Sequence, residues 1–396
     1  MFTLFIRFFW LGCLGFGGPL AHIALFRREL VERRHWLTPE QFAHTLTLCQ
    51  FLPGPASSQL GFAIGLQRAG LPGAIAAFVG FTLPSFLLMT LLALGHSWLM
   101  SWPPITGLWH GLKLFALVIV ADAVLTLFRQ FCRDRQQQTI CILVACLLWF
   151  FPGNLQQLLL LAAAGLWGGV RTRLAQKSEP ASPVPADPTT PLLTPLKLAR
   201  GPLLLFVLLL GLPLLPLTGL PLSGLGQLFS HFYQAGSLVF GGGHVVLPLL
   251  QQGAAAALPQ EQFLSGYATA QLLPGPMFSL AAYLGALLAP TTPWLGALVA
   301  TLGLFLPGFL LILVFMPTWH TLLQQPTVLQ WVASINAAVV GLLLATLYHP
   351  LFTSAVAEPA DLAWALVGWW ALRQLRAPIW LLALASAASG LLFYFL

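Results

Sequence analysis

The sequence predicts an all-α protein that crosses a membrane many times. Hydrophobic residues occupy 58% of its 396 positions and charged residues only 7%, whereas a soluble domain carries about 25% charged residues. Apolar runs of about 20 residues, enough to span a bilayer core, recur along the whole chain. The alternating ten-residue strands of a membrane β-barrel are absent from the sequence. We therefore expect about 10–13 transmembrane segments, some of them too short to cross alone.

A set of short motifs occurs twice, in the same order and at nearly the same spacing. In the first half the set reads LGFGGP at 14–19, LTPEQF at 37–42, QFLPGP at 50–55 and FTLP at 81–84. In the second half it reads LVFGGG at 238–243, LPQEQF at 258–263, QLLPGP at 271–276 and LFLP at 304–307. A duplicated apolar unit with helices broken by Gly and Pro is typical of secondary transporters. We expect two homologous repeats, 1–174 and 201–396.

A stretch rich in Pro, Ser, Thr and Ala, 175–200, separates the two repeats. Such a composition cannot build a hydrophobic core, so we expect a cytoplasmic linker. The five cysteines all precede it, mostly inside apolar segments and without a CxxC pair. This pattern indicates small core residues rather than disulfides or metal ligands.

The distribution of Lys and Arg predicts the orientation of the chain. Fifteen of the seventeen basic residues precede residue 201, and the positive-inside rule places their loops in the cytoplasm. The basic loop at 27–34 has a second-half counterpart, 251–260, without basic residues, and the basic loop at 129–135 has an acidic one at 349–361. This exchange favours inverted repeats, provided that 201–217 does not cross completely. A complete crossing would make the repeats parallel.

Each Pro-Gly-Pro segment is predicted to break a helix near the middle of the bilayer. Arg34 and Arg68 should both be cytoplasmic, so 39–69 should enter and return as a re-entrant hairpin with Pro53-Gly54-Pro55 at its tip. Proline lacks an N–H and glycine permits the turn. Irregular backbone at that depth persists only beside a cavity or inside protein. The second tip, Pro274-Gly275-Pro276, would enter from the opposite face.

The residues after the first tip favour a small oxyanion as ligand. Ser57, Ser58 and Gln59 follow Pro55 and begin a half-helix, whose unpaired N–H groups and positive dipole end would face the cavity. The segment after Pro276 is mostly apolar. The alternative is that the serines only cap a broken helix.

The two histidines that follow the glycine motifs, His22 and His244, are functional candidates because they lie in apolar segments. A hydrogen-bonded structural role is the alternative for each. The glycines of the same motifs either let a helix unwind or let another helix pass close by.

Two full charges, Lys113 and Asp122, lie inside the apolar segment 105–128. Nine residues apart on a helix, they are separated by about 13.5 Å along its axis and cannot pair. Asp122 is predicted to pair with Arg129 on the same face. Lys113, whose repeat counterpart is the polar Asn336, either supplies countercharge to an anion or extends to the membrane surface.

Longer motifs in both halves match a known family. They are FGGPLAH at 16–22, FRRELVERRHWL at 26–37, CQFLPGPASSQ at 49–59, FGGGH at 240–244, QLLPGP at 271–276 and INAAVVG at 335–341. These motifs resemble the chromate ion transporter (CHR) family in its long, two-domain form, over roughly 1–130 and 225–355. The resemblance implies efflux of chromate across the bacterial inner (plasma) membrane, chromate resistance, and sulfate as the related oxyanion.

The physical pattern and the resemblance agree on an anion. Chromate is a tetrahedral dianion that needs N–H, hydroxyl and cationic donors, which the first tip and the arginine-rich loop offer. The candidate substrate-binding residues are Gly17, Gly18, His22, Arg27, Arg28, Pro53, Gly54, Pro55, Ser57, Ser58, Gln59, Lys113, Gly241, Gly242, Gly243, His244, Pro274, Gly275, Pro276 and Asn336. The expected partners are chromate, sulfate as an option, and the lipid bilayer.

No catalytic residue, metal site, cofactor or nucleic-acid partner is expected. The oligomeric state stays open, with a homodimer as one option. Transport of sulfate or another small oxyanion and an anion channel are the alternatives to chromate export. A membrane enzyme is disfavoured because the sequence has no HExxH motif and only Asp122 as an acid deep in an apolar segment.

Overall fold

The computed structural model describes residues 1–96, 98, 102, 104–178, 199–211, 224–240, 243–253, 257–319 and 325–395. Within these ranges every regular element is a helix and no strand occurs, which confirms the all-α prediction. Most of the expected linker, 179–198, and two candidate site residues, Gly241 and Gly242, lie outside the described residues.

The helices of the first half are broken at both predicted motifs. They are α1 (Phe2–Leu14), α2 (Gly18–Phe26), a π-helical turn (Arg27–Arg33), α3 (Pro39–Phe51), α4 (Ala56–Leu94), α5 (Ile105–Phe131), α6 (Arg135–Phe150) and α7 (Asn154–Ser178). A Thr38 cap starts α3: its hydroxyl accepts from the Gln41 N–H, while the Gln41 side chain accepts from the Thr38 N–H. This reciprocal cap satisfies two backbone donors that the helix itself leaves unpaired.

The second half has a similar order of helices after one additional helix at its start. Its helices are α8 (Arg200–Gly211), α9 (Gly224–Leu238), a 3-10 turn (Gly243–Val245), α10 (Val246–Gln252), α11 (Gln260–Leu272), a 3-10 turn (Met277–Ser279), α12 (Leu280–Leu288), α13 (Pro293–Phe315), α14 (Pro326–Thr346), a π-helical turn (Leu347–Phe352), α15 (Pro359–Gln374) and α16 (Ile379–Phe395).

Four helices of the described chain are long and apolar enough to cross a membrane: Ala56–Leu94, Ile105–Phe131, Pro293–Thr318 and Thr327–Ala355. This number is below the expected count of about 10–13 spans. Glycine and proline divide several of the apolar runs into helices that are each too short to cross alone. Helix α1, for example, has 13 residues and ends just before Gly15.

The long helix α4 folds back on itself at Gly70, whose φ of +65° lies in the left-handed region. In a continuous helix Gly65 and Gly73 would be about 12 Å apart along the axis. Here a methyl group on either one would collide with the backbone of the other. The same glycine-to-glycine contact joins α12 and α13 at Gly285 and Gly296. Both halves therefore contain a tight helical hairpin after the Pro-Gly-Pro segment.

In each half, the helix before the glycine motif also packs against the Pro-containing long helix through a glycine. A methyl group on Gly12 in α1 would collide with the backbone of Phe81 in α4. A methyl group on Gly236 in α9 would collide with Leu304 in α13, the motif equivalents of these two residues. The repeated motifs thus encode repeated helix contacts, as small residues do in membrane bundles.

Candidate functional site

One hydrogen bond ties each Pro-Gly-Pro segment to the glycine motif of the other half. The Gly54 N–H donates to the Val239 carbonyl at 2.6 Å, and the Gly275 N–H donates to the Gly15 carbonyl at 2.8 Å. Gly15 and Val239 occupy the same position in their motifs. Both donors have positive φ, +126° for Gly54 and +104° for Gly275, which only glycine adopts readily. The helix breaks therefore lie where the sequence predicts them.

A cavity of about 300 Å³ lies where these motifs meet. Residues of both glycine motifs and of the first Pro-Gly-Pro segment line it together with several polar side chains. The lining residues of these motifs include Gly17, Gly18, Gly54, Ala56, Gly243 and His244, and the polar side chains are Gln50, Gln271, Asp122, Thr126 and Gln130. Of the candidate residues from the sequence, this cavity brings together Gly17, Gly18, Gly54, Gly243 and His244. We call it the central cavity.

Two helices begin at the central cavity. Helix α2 starts at Gly18 and α4 starts at Ala56, and neither start has a side-chain cap. The first N–H groups of a helix have no partner within the helix, and the helix dipole makes that end positive. Gly17, with φ +93°, gives the chain the turn that precedes α2. Two converging helix starts make the central cavity favourable for an anion.

Two glutamines from equivalent positions, Gln50 and Gln271, also line the central cavity. Gln271 places its amide nitrogen 3.4 Å from His244 Nδ1, and the Tyr267 hydroxyl lies 2.8 Å from the same atom. Because an amide nitrogen only donates, Nδ1 accepts, and the proton of a neutral ring is on Nε2. His244 is thereby oriented as an N–H donor in the wall of the cavity.

An ion pair joins the cavity wall to the second half. Arg373 Nε donates to Asp122 Oδ1 at 2.5 Å, and its Nη2 donates to Thr126 Oγ1 at 3.1 Å. The predicted pairing of Asp122 with Arg129 is therefore wrong. Helix α15 packs against α5 and brings Arg373 to Asp122, although 251 positions separate them. No sequence pattern marks Arg373 as a site residue, because its partner is determined by helix packing.

His22 does not reach the central cavity. Its Nε2 lies 3.0 Å from the Gly15 carbonyl and therefore donates, which leaves Nδ1 to accept from the Ser57 hydroxyl at 3.3 Å. His22 is completely buried. This arrangement matches the structural alternative: the imidazole links the first glycine motif to the start of α4. The Ser57 proton is committed to it.

The other two polar residues after the first tip are also buried outside the cavity lining. Gln59 donates through Nε2 to the Pro53 carbonyl at 2.9 Å and to the Gly308 carbonyl at 3.2 Å. It therefore holds the Pro-Gly-Pro turn against α13. The Ser58 hydroxyl is buried without a hydrogen-bond partner among the described residues.

The arginine-rich turn lies apart from the central cavity. Arg27 Nε is 3.4 Å from Glu32, and both side chains are more than half exposed. Arg28 lines a separate surface pocket. Exposed pairs of this kind contribute little to stability.

Lys113 and Asn336 do not line the central cavity. Lys113 Nζ lies 3.4 Å from Glu261 Oε1 near the start of α5. Asn336 is buried, and its Oδ1 has no partner within the described ranges. Pro53, Pro55 and the second tip, 274–276, border the helix breaks without lining the cavity.

Comparisons with known proteins agree with the motifs. The model of the family described as "Chromate transporter" matches residues 2–169 and 226–391. The chain is 29% identical over 361 residues to the "Chromate transport protein" of Pseudomonas aeruginosa, covering 87% of this chain and 79% of that protein. It is 29% identical over 342 residues to the "Probable chromate transport protein" of Synechococcus elongatus, covering 84% and 79%.

A shorter relative matches about half of the chain. It is the "Uncharacterized transporter YwrA" of Bacillus subtilis, 32% identical over 173 residues, which are 42% of this chain and 94% of that protein. No solved structure has a significant match. With both halves matched by the family model, the chain belongs to the chromate transporter family.

Proposed function

We propose that this protein exports chromate across the bacterial inner membrane and thereby confers chromate resistance. The observation that carries the proposal is the central cavity, in which motifs of both halves place two helix starts and polar donors around one space. Family membership supports chromate as the substrate.

The donors around the central cavity suit a tetrahedral dianion. The starts of α2 and α4 supply backbone N–H groups, Gln50 and Gln271 supply amide donors, and His244 supplies an imidazole N–H. Charge-assisted hydrogen bonds of this kind are stronger than neutral ones. Asp122 would repel an anion, but its pairing with Arg373 neutralises it.

The membrane potential favours the export direction. A cell that is negative inside drives each negative charge outward with about 2.3 kcal/mol at 100 mV, so a dianion gains about twice that. Sulfate carries the same charge and the same arrangement of oxygens, and it is the main alternative substrate. An anion channel would use the same cavity without coupling to an ion gradient.

We expect the side-chain amides of Gln50 and Gln271 to determine the affinity for chromate. Replacing Gln50 and Gln271 together by Ala removes hydrogen bonds worth about 1.5–3 kcal/mol each to a charged ligand, so affinity should fall on the order of a hundredfold. The measurement is uptake of labelled chromate into everted membrane vesicles, with sulfate as competitor. Gln156→Ala, at an exposed position of α7, is the matched control. Unchanged uptake by the double variant would contradict binding of the substrate at Gln50 and Gln271.

The charges at the two ends of α5 support an orientation. Near its start, Lys113 pairs with Glu261, and His110 Nε2 lies 2.7 Å from Asp361. Its other end leads into the arginines of 129–135. One end of a helix long enough to span a membrane thus has a single lysine that is paired with an acid, whereas the other end leads into three arginines. The positive-inside rule then places the basic end in the cytoplasm.

The same reasoning favours inverted repeats. Helix α11 starts at the acidic end of α5, because Glu261 lies in its first turn. Its equivalent α3 follows the arginine-rich turn, which the positive-inside rule places in the cytoplasm. Equivalent helices would then start on opposite faces. We accordingly keep 1–174 and 201–396 as two oppositely oriented repeats.

Cysteine labelling tests this orientation. In a cysteine-free background, an impermeant thiol reagent applied from the periplasm should label Ala257→Cys and Ala357→Cys but not Glu32→Cys or Arg133→Cys. All four positions are exposed. As the control, the same reagent applied to everted vesicles should label positions 32 and 133 but not 257 and 357. Labelling of position 32 from the periplasm would contradict the proposal.

A further inference from the structure

A second pocket, separate from the central cavity, lies at the surface of the protein between α1 and the π-helical turn. Its volume is about 380 Å³, and Arg7, Arg28 and Arg33 line it together with Trp10 and Leu14. The pocket therefore combines three guanidinium groups with large apolar side chains. The proposed transport of chromate through the central cavity does not use this pocket.

Arg7 is the only charged residue of α1. Its neighbours Trp10 and Leu14 are 57% and 61% exposed, and Phe2 on the same helix is 75% exposed. In a membrane protein, apolar side chains exposed to this extent face lipid. An arginine beside such a surface is costly unless it has an anionic partner or reaches the polar headgroups.

The one acid of this pocket is already occupied. Glu29 accepts from Arg34 at 2.7 Å and from Arg33 at 3.5 Å. The hydrogen bond from Arg34 lowers the pKa of the Glu29 carboxyl, so it remains ionised and paired. Within the described residues, neither Arg7 nor Arg28 forms an ion pair with an acidic side chain. The pocket thus keeps two guanidinium groups available for an external anion.

We propose that this pocket binds the headgroup phosphate of an anionic phospholipid from the cytoplasmic leaflet. Arg7 and Arg28 would each donate to phosphate oxygens, for which the guanidinium geometry is well suited. Trp10 and Leu14 offer the adjoining apolar surface to the acyl chains. A basic pocket between helices at the cytoplasmic face is the arrangement that recognises such lipids. The inference does not depend on chromate as the substrate, and it rests on the proposed orientation only for the choice of leaflet.

The test uses the purified full-length protein in detergent. Native mass spectrometry should show phosphatidylglycerol bound in preference to phosphatidylcholine, and bound phosphatidylglycerol should raise the Tm. In the Arg7→Gln/Arg28→Gln variant two charge-assisted hydrogen bonds are lost, and solvent weakens both because Arg28 is exposed and Arg7 half-buried. We therefore expect phosphatidylglycerol binding to weaken about tenfold or more. The control is Arg133→Gln/Arg135→Gln, which removes two arginines elsewhere on the same face.

Two outcomes would contradict the proposal. Equal losses in the two double variants would overturn the proposal, because they would indicate general attraction to a basic face. Binding of inorganic phosphate alone, with the same rise in Tm and no added effect of phosphatidylglycerol, would assign the pocket to a free oxyanion. If the double variant does not fold, Arg28→Gln alone, at an exposed position of the turn, carries the same test.

Discussion

Replacing Arg373 by Gln is expected to abolish chromate export while the protein still folds and reaches the membrane. Arg373 neutralises Asp122 in the wall of the central cavity. Without it, a single negative charge would face a dianion. At about 6 Å and an effective dielectric constant of about 20, the two would repel by about 5 kcal/mol. Both side chains of the ion pair are about one quarter exposed, so solvent screening weakens this repulsion, and we expect a loss of at least about a hundredfold in transport.

A second substitution makes this prediction specific. Asp122→Asn in the Arg373→Gln background removes the repelling charge, so the double variant should recover part of the transport. Arg373→Lys should also retain part of it, since a cation remains. Chromate uptake into everted vesicles, normalised to the amount of folded protein, measures all three. Full activity in Arg373→Gln would show that the pair has no role at the cavity. A double variant less active than the single one would contradict repulsion by Asp122 as the cause of the loss.

Replacing Gly54 or Gly275 by Ala is expected to remove most of the folded protein. Each has a positive φ that L-residues rarely adopt. A methyl group on Gly54 would lie 3.0 Å from Gly308 Cα, and one on Gly275 would lie 2.6 Å from Ser85 Oγ. Backbone strain of about 1–3 kcal/mol adds to overpacking of about 1–3 kcal/mol. The sum is a large part of a typical stability of about 5–15 kcal/mol.

Fluorescence-detected size-exclusion chromatography of the solubilised protein measures the loss. Gly201→Ala is the control, because a methyl group there would meet nothing within 4 Å. Adding Ser85→Gly to Gly275→Ala should recover part of the protein, since it removes the collision but not the strain in φ. A Gly54→Ala protein as abundant and monodisperse as the control would contradict the account of the tips.

The helix breaks and the repeated helix contacts were predictable because their causes are local. Proline removes a backbone donor wherever it occurs, and glycine alone adopts positive φ readily, so LGFGGP and QFLPGP mark breaks in any packing. The sequence signal for the cavity amides was also present: both Pro-Gly-Pro motifs open with glutamine, Gln50 and Gln271. Ser57 and Ser58 were predicted as the donors to the anion instead, because the position of a helix start does not show which side chains face a cavity.

The amino-acid sequence was enough to predict the all-α membrane class, the duplicated motifs and the positions of the helix breaks. Composition and the stereochemistry of Pro and Gly carry all of these, and neither depends on distant residues. Only the tertiary structure decided that His22 binds Ser57, that Asp122 pairs with Arg373, and that Lys113 lies beside Glu261 outside the central cavity. Those partners are 35, 251 and 148 positions apart, and helix packing, which no local pattern encodes, brings them together.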